Sequence, residues 1–382
     1  MKRIIVAPDS FKESLSAAGV AFHIAEGIRK VLPAAEVVRI PLSDGGEGLI
    51  DALISGTAGR LITREVTGPL GKKVTARFGK LGDNRTAVIE MAEASGLALV
   101  PREERNPMVT TTYGTGELIK AALDLGCRRM IVGIGGSATN DGGSGMAEAL
   151  GVKLLDAEEE SIARGAEGLL RLKSIDMSAA DPRLLQTEIM IACDVNNPLC
   201  GPNGASYVYG PQKGADREML PVMDQALFNL ARVIKRELKL EIQDIAGAGA
   251  AGGLGAGLIA FAGGTLCSGL GMVFEILDFE SILARKADLV ITGEGQINAQ
   301  TLSGKVPVGV ARLAKKHNLP VLAIVGSIGP GAEKVYEAGI DAIMSITPGP
   351  ISLEEAMTLT EELVTDAAIR AMRLIMMGSR FR

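Results

Sequence analysis

Residues 59–81, "GRLITREVTGPLGKKVTARFGKL", break the pattern of everything before them. Two runs of alternating apolar and polar residues are joined at Gly68-Pro69, and "RTAVIEMA" (85–92) follows as a third. Alternation with period two is the mark of half-buried antiparallel strands. Upstream the grammar differs. "RIIVAP" (3–8) and "EVVRI" (36–40) are short continuous apolar runs, separated by an amphipathic helix expected from Ser16 to Val31. Continuous apolar strands alternating with helices indicate a parallel sheet buried on both faces. That alternation returns late in the chain, with "ADLVITGE" (287–294), a helix over 305–317, "PVLAIVG" (320–326), a helix over 331–338, "DAIMSIT" (341–347) and a helix over 353–376.

The expected fold class is therefore α/β in two domains. Residues 1–65 with 285–382 form a parallel, Rossmann-like α/β domain built from both chain ends. Residues 66–284 form an inserted mixed-sheet α/β domain. The cleft between the two domains is the expected ligand site. Within the insert, a helix is expected at 115–125, strands at "RRMIVGI" (128–134) and "EIMIACDV" (188–195), and a long helix near 217–238. Residues 156–187 read as irregular surface structure.

Composition narrows the function classes. The 382 residues carry a net charge of −5, 48 glycines, 3% aromatics and no Trp. With no block of basic residues and few stacking side chains, nucleic acid is not expected as a partner. Residues 245–274 have no charged side chain, but about a third of them are Gly. A membrane span needs ~20 mostly large apolar residues, so this segment reads as buried, Gly-bent helices. Four Cys without a CxxC pair, and no signal peptide, indicate a cytoplasmic protein. Two His, His23 and His317, are too few for a His-based metal site or triad.

Five loops share one design, each following an apolar strand and holding one or two charged residues, in four of them together with Gly. They are "PDSFK" (8–12), "SDGGEG" (43–48), "GIGGSATNDGG" (133–143), "CDVNNPLCGPNG" (193–204) and "TGEGQINAQTLSGK" (292–305). Ligands of parallel sheets sit at the carboxyl ends of strands, so such loops converge. Bare backbone amides suit anions. Acidic residues beside them make sense when a divalent cation bridges the two, and Lys answers developing charge; together these are the parts of a phosphoryl-transfer site. The common nucleotide fingerprints are absent. "LSGKVP" has Val306 where a Walker motif needs Ser or Thr, and "GAGAAG" (247–252) matches GxGxxG without a good preceding strand. An NAD-linked hydroxy-acid oxidoreductase would rest on that match alone.

Six segments resemble the motifs of the bacterial glycerate kinase family: "APDSFKESLSA" (7–17), "PLSDGGEG" (41–48), "RNPMVTTTYGTGELI" (105–119), "GIGGSATNDGG", "ACDVNNPLCG" (192–201) and "TGEGQINAQTLSGKVPVGV" (292–310). The resemblance implies a two-domain α/β protein, one domain flavodoxin-like. It also implies phosphorylation of glycerate by ATP with Mg²⁺, giving 2-phosphoglycerate. On this footing Gly135, Gly136, Ser137, Thr139, Gly293 and Gly295 are expected to cradle the nucleotide's phosphates. Asp141 is expected either to hold Mg²⁺ or to brace its loop, with Asp44, Glu47 and Glu294 as the other candidate metal ligands. Asp194 is the expected general base, the alternative being a cap on its own turn ahead of Pro198. Asn196, Asn197, Ser10 and Arg105 are expected to contact substrate, and Lys12 and Lys305 to contact phosphate or the glycerate carboxylate. Thr110 to Thr112 either cap the following helix or contact substrate. The expected partners are glycerate and ATP, with the protein a monomer or homodimer. One departure stands out. The family pattern GEGxxDxQT has Asn298 in place of its Asp here. Asn can hydrogen-bond but cannot carry charge, which leaves a catalytically impaired sugar-acid or nucleotide sensor as the alternative function.

Overall fold

The computed structural model describes residues 2–378. The chain forms two compact units. One comprises Met1–Asp44, Asp51–Gly56 and Leu270–Arg382; the other comprises Gly45–Ile50 and Thr57–Gly269.

The first unit is a five-stranded, all-parallel sheet. Its spatial order is Glu36–Arg39, Arg3–Val6, Leu289–Thr292, Val321–Val325, Ala342–Ser345. Numbered along the unit, that is the flavodoxin order 2-1-3-4-5. Continuous burial of Ile4, Ile5, Val6, Val290, Ile291 and Val321–Val325 explains why these strands read as unbroken apolar runs. The helix Ala17–Val31 buries Val20, Ala21, Ile24, Ala25 and Ile28, the three-and-four spacing of one helix face. Its amino end is capped by Ser16, whose hydroxyl accepts the Gly19 N–H at 3.2 Å. Two expected helices differ in form. Residues 331–338 hold only the 3₁₀ turn Ala332–Val335, which starts behind a left-handed Gly331. The carboxyl-terminal helix is broken at Leu359 into Leu353–Thr358 and Thr360–Gly378.

The second unit is a six-stranded mixed sheet in the order Thr265–Cys267, Glu188–Ala192, Arg129–Gly133, Thr86–Glu90, Lys73–Lys80, Arg60–Thr67. The hairpin expected at Gly68-Pro69 is present, with Arg60 opposite Lys80 and Thr67 opposite Lys73. The third expected antiparallel strand is half so: Thr86–Glu90 is antiparallel to Lys73–Lys80 but parallel to Arg129–Gly133. Its five residues are all buried, so it lacks the alternation of an edge strand. The uncharged segment forms the buried helix Ala250–Ala262, whose first turn is distorted by left-handed Ala251, Gly252 and Gly253. No helix among the described residues is long and apolar enough to cross a membrane. Residues 156–187, expected to be irregular, include the strand Ser174–Asp176 paired antiparallel with Lys153–Leu155.

Candidate active site

In the first unit the strand order reverses between Arg3–Val6 and Leu289–Thr292, and a doubly wound sheet opens its ligand crevice at such a point. The loops leaving these two strands are tied by the Ala7 N–H to Ile291 O at 2.7 Å and the Asp9 N–H to Gly293 O at 2.9 Å. They carry Asp9, Ser10, Lys12, Glu294 and Lys305. Burial, then the neighbouring Asp44 and Glu294 carboxylates, push Asp9 up to about 7, against the Ser10 N–H and Lys12. The Ser10 N–H donates to Asp9 Oδ1 at 2.7 Å. Glu294 is buried, and burial raises its pKa. The Thr301 hydroxyl at 2.6 Å and Lys305 at 3.4 Å oppose that shift. Three interacting carboxylates and two lysines thus share the switch point. Asp9, quoted within the first motif but given no role from sequence, is central to them.

Packing alone accounts for Gly293. A Cβ on Gly293 would stand 2.1 Å from Ile324 O, so the residue is glycine because two strand ends touch there. Gly295 lies against the backbone of Phe11 and Lys12. Asn298 caps the turn Ala299–Ser303: its Oδ1 accepts the Gln300 N–H at 2.8 Å, and its own N–H donates to Thr301 Oγ1 at 3.1 Å. Its Nδ2 donates to Gln296 Oε1 at 3.0 Å. The same turn therefore aims Thr301 at Glu294.

In the second unit the glycine loop 133–143 leaves the strand Arg129–Gly133. Gly135 and Gly136 are exposed, and Gly136 takes φ 70°, a left-handed conformation glycine adopts without steric cost. The next residues are held from beneath by four separate donors or acceptors. Thr110 Oγ1 donates to Ala138 O at 2.9 Å, and Lys213 Nζ donates to Thr139 O at 2.6 Å. Asn140 Nδ2 donates to Ser206 Oγ at 3.1 Å. Asp141 Oδ2 accepts both the N–H and the hydroxyl of Thr112, each at 2.8 Å. Asp141 also accepts the N–H groups of Gly143 at 3.1 Å and Gly145 at 3.2 Å.

Asp141 is fully buried and accepts from these four donors, contacts that brace the loop, one of the two roles expected for it. Burial raises its pKa while those donors oppose the shift. The amino end of the following turn, Ser144–Ala149, is consequently occupied by Asp141 and is not open to an anion. Thr139 is also buried, its hydroxyl unpartnered, so the accessible part of the loop is Gly135 and Gly136. Thr112, at the N-cap position of Tyr113–Asp124, makes no capping bond and serves Asp141 instead.

Asp194 follows the strand Glu188–Ala192 and is exposed. Its Oδ1 accepts the Gly269 N–H at 3.1 Å and the Ser268 hydroxyl at 3.4 Å. With Asn196, Ser268, Cys193 and Cys267 it lines a cavity of about 310 Å³. The segment Gly45-Gly46 closes in on the same strand ends. A Cβ on Gly45 would stand 2.8 Å from Gly269 Cα and 3.7 Å from Asp194 Oδ2, and one on Gly135 would stand 3.4 Å from Gly46 Cα. The structure thus brings together the glycine loop's strand end, the Gly45 segment and Asp194. Asn197 is turned inward, donating to Asn203 O at 2.8 Å and accepting from the Tyr209 hydroxyl at 2.6 Å. Arg105 packs against Gly214 with its Nε buried and unpartnered. Glu47 is exposed.

Sequence reasoning gave no role to two further buried charges. Glu90 ends the strand beside Gly133, and its carboxylate accepts the N–H groups of Ile50 at 2.8 Å and Gly48 at 3.4 Å. Burial pushes it up to about 7. Its signal was a lone acid closing an apolar strand, "AVIE". Lys213 had none, because a lysine in "GPQKGA" (210–215) reads as solvated. Among the described residues no three His, Cys, Asp or Glu side chains stand close enough together to hold a metal ion.

The model of the glycerate kinase family matches residues 4–376. A glycerate kinase of Bacillus subtilis (strain 168) is 52% identical over 366 residues, covering 96% of each chain. The glycerate 2-kinase of Escherichia coli (strain K12) is 51% identical, covering 93% of each chain. A crystal structure of a protein assigned as glycerate kinase 2 from Salmonella typhimurium LT2 superposes with a TM-score of 0.90 at 50% identity, covering 99% of each chain. Matched along almost its whole length in sequence and in fold, the chain belongs to the glycerate kinase family.

Proposed function

We propose that the chain is an ATP-dependent glycerate kinase that transfers the γ-phosphoryl group to the C2 hydroxyl of D-glycerate. The observation that carries the reading is the grouping, in one unit, of an exposed Gly135-Gly136 backbone held rigidly from beneath and an exposed Asp194 beside a small polar cavity. A preorganised backbone loop suits phosphates, since its dipoles need not reorganise as charge develops. The cavity has room for a three-carbon hydroxy acid, with Asn196 and Ser268 as the proposed polar contacts.

Asp194 is the proposed general base. It takes the C2 hydroxyl proton as that oxygen attacks the γ-phosphorus, and ADP departs in line. The hydrogen bonds from Gly269 and Ser268 hold its Oδ1 and so orient the other oxygen. Lys12 and Lys305 are the proposed cationic contacts of the first unit, for phosphate or the glycerate carboxylate, with Ser10 beside them. Asp44 and Glu294 are the proposed carboxylates that would hold Mg²⁺, an ion that needs only one or two of them beside a nucleotide. The ion would offset charge on the transferring group. The four cysteines are all free, which suits the reducing cytoplasm, and the protein is proposed to act as a monomer or homodimer.

The sensor alternative draws no support from these relatives, and Asn298 has a complete structural role as a cap. The test is a coupled assay of ADP release with ATP and Mg²⁺. Release that depends on D-glycerate supports the proposal, and release that ignores it, or none, contradicts it.

A further inference from the structure

Lys213 closes the turn Pro211–Lys213 and is 1% exposed. Lysine is almost never fully buried unless its charge is met. An ammonium has three donors, and the acceptor seen for this one is Thr139 O at 2.6 Å. Asp141, of the same loop, is the charged side chain that acts on it, and that carboxylate is already committed to four other donors. From the segment 105–112 comes Arg105, packed on Gly214, and from the helix Ala205–Tyr209 comes the uncharged Ser206. The Thr139 hydroxyl and Asn140 Oδ1 lie buried nearby without a partner. A lysine is therefore kept on the buried side of a loop whose open side is bare glycine.

We infer that Lys213 is a positioning residue of the phosphate loop, fastening the Thr139 carbonyl on the loop's buried side, and that it takes up a proton when nucleotide binds. The inference rests on the reading of the chain as an ATP-dependent kinase. Burial pushes the Lys213 ammonium down to about 7, with Asp141 pulling the other way. Near pH 8 the free protein thus holds much of Lys213 neutral. Bound phosphates favour the charged form, so binding draws a proton from the buffer.

Calorimetric titration of the full-length protein with Mg-ATP, in two buffers of different ionisation heat, reads that proton directly. At pH 8 wild type is expected to take up about half a proton to one proton per nucleotide, and clearly less at pH 6, where Lys213 is already charged. Lys213→Met is expected to bind about tenfold more weakly with no uptake. Lys213→Arg, charged throughout, is expected to recover binding without uptake. Wild type that takes up no proton at pH 8 overturns the inference, whether or not Lys213→Met folds. So does a Lys213→Met protein that binds and takes up protons like wild type. Uptake without glycerate phosphorylation would leave the role of Lys213 standing and overturn the substrate; a chain that binds no nucleotide overturns both.

Discussion

Asp141 and Thr112 are joined twice, through the Thr112 N–H and the Thr112 hydroxyl, both at 2.8 Å to one carboxylate oxygen. The same hydroxyl accepts the Met146 N–H at 3.0 Å. Thr112→Val preserves shape but leaves a buried carboxylate and a buried amide each short of a partner. The expected loss is about 1–3 kcal/mol in denaturant unfolding. Its binding counterpart is a weaker grip on nucleotide, because the loop above loses a support. A Thr112→Val protein as stable as wild type would show that Asp141 draws its fixation from elsewhere.

Asp194 calls for a different kind of variant. Asp194→Asn keeps an acceptor for the Gly269 N–H and removes only the basic oxygen. Turnover is expected to fall by about 10²–10⁴, with the KM for ATP nearly unchanged. Steady-state kinetics with varied ATP and varied glycerate check both halves. A rise in the glycerate KM with kcat intact would reassign Asp194 to binding.

Glu90 predicts a pH dependence of stability. Its folded-state pKa, about 7, lies above the ordinary glutamate value of 4.5, so the native state holds the proton more tightly than the unfolded one. Stability then falls as pH rises from about 4.5 to 7 and is level beyond, with a slope of at most ~1.4 kcal/mol per pH unit from this group. Asp9, Asp141 and Glu294 are raised too and act in the same direction. Glu90→Gln should therefore reduce the slope without abolishing it. Urea unfolding at pH 5, 6 and 7 reads the change, and an unaltered slope would contradict the buried, proton-binding state of Glu90.

Asn298→Asp tests the departure from the family pattern. Asp caps a turn as well as Asn does, so the bond from the Gln300 N–H survives. The contact with Gln296 Oε1 does not, because an ionised carboxylate has no donor. The expected outcome is a stability loss of about 0.5–1.5 kcal/mol and turnover within roughly threefold of wild type. A gain of tenfold or more in kcat would show that position 298 needs its charge.

The parallel strands were legible because burial on both faces leaves unbroken apolar runs, as in Val321–Val325, and the hairpin because Arg60–Thr67 and Lys73–Lys80 alternate around Gly68. The glycine loops were legible as a set, by position after strands. Their internal division of labour was not. Gly293 and Gly136 look alike in sequence, yet one is glycine for a strand contact at Ile324 O and the other for an exposed left-handed turn. Thr139 reads like a hydroxyl offered to phosphate and is buried beneath the loop. Asp9, Glu90 and Lys213 owe their character to burial, which depends on residues distant in the chain. No local pattern encodes that a lysine after "GPQ" ends under Thr139.

The most direct test of the account is a product measurement: phosphorus NMR of the protein's reaction with ATP, Mg²⁺ and D-glycerate, with enolase added afterwards. The account predicts one phosphorylated glycerate, formed mole for mole with ADP and consumed by enolase without a mutase, as a C2 phosphate must be. A product that enolase leaves untouched would place the phosphoryl group on C3, and ATP resonances that persist with no new phosphomonoester signal would contradict the kinase assignment itself.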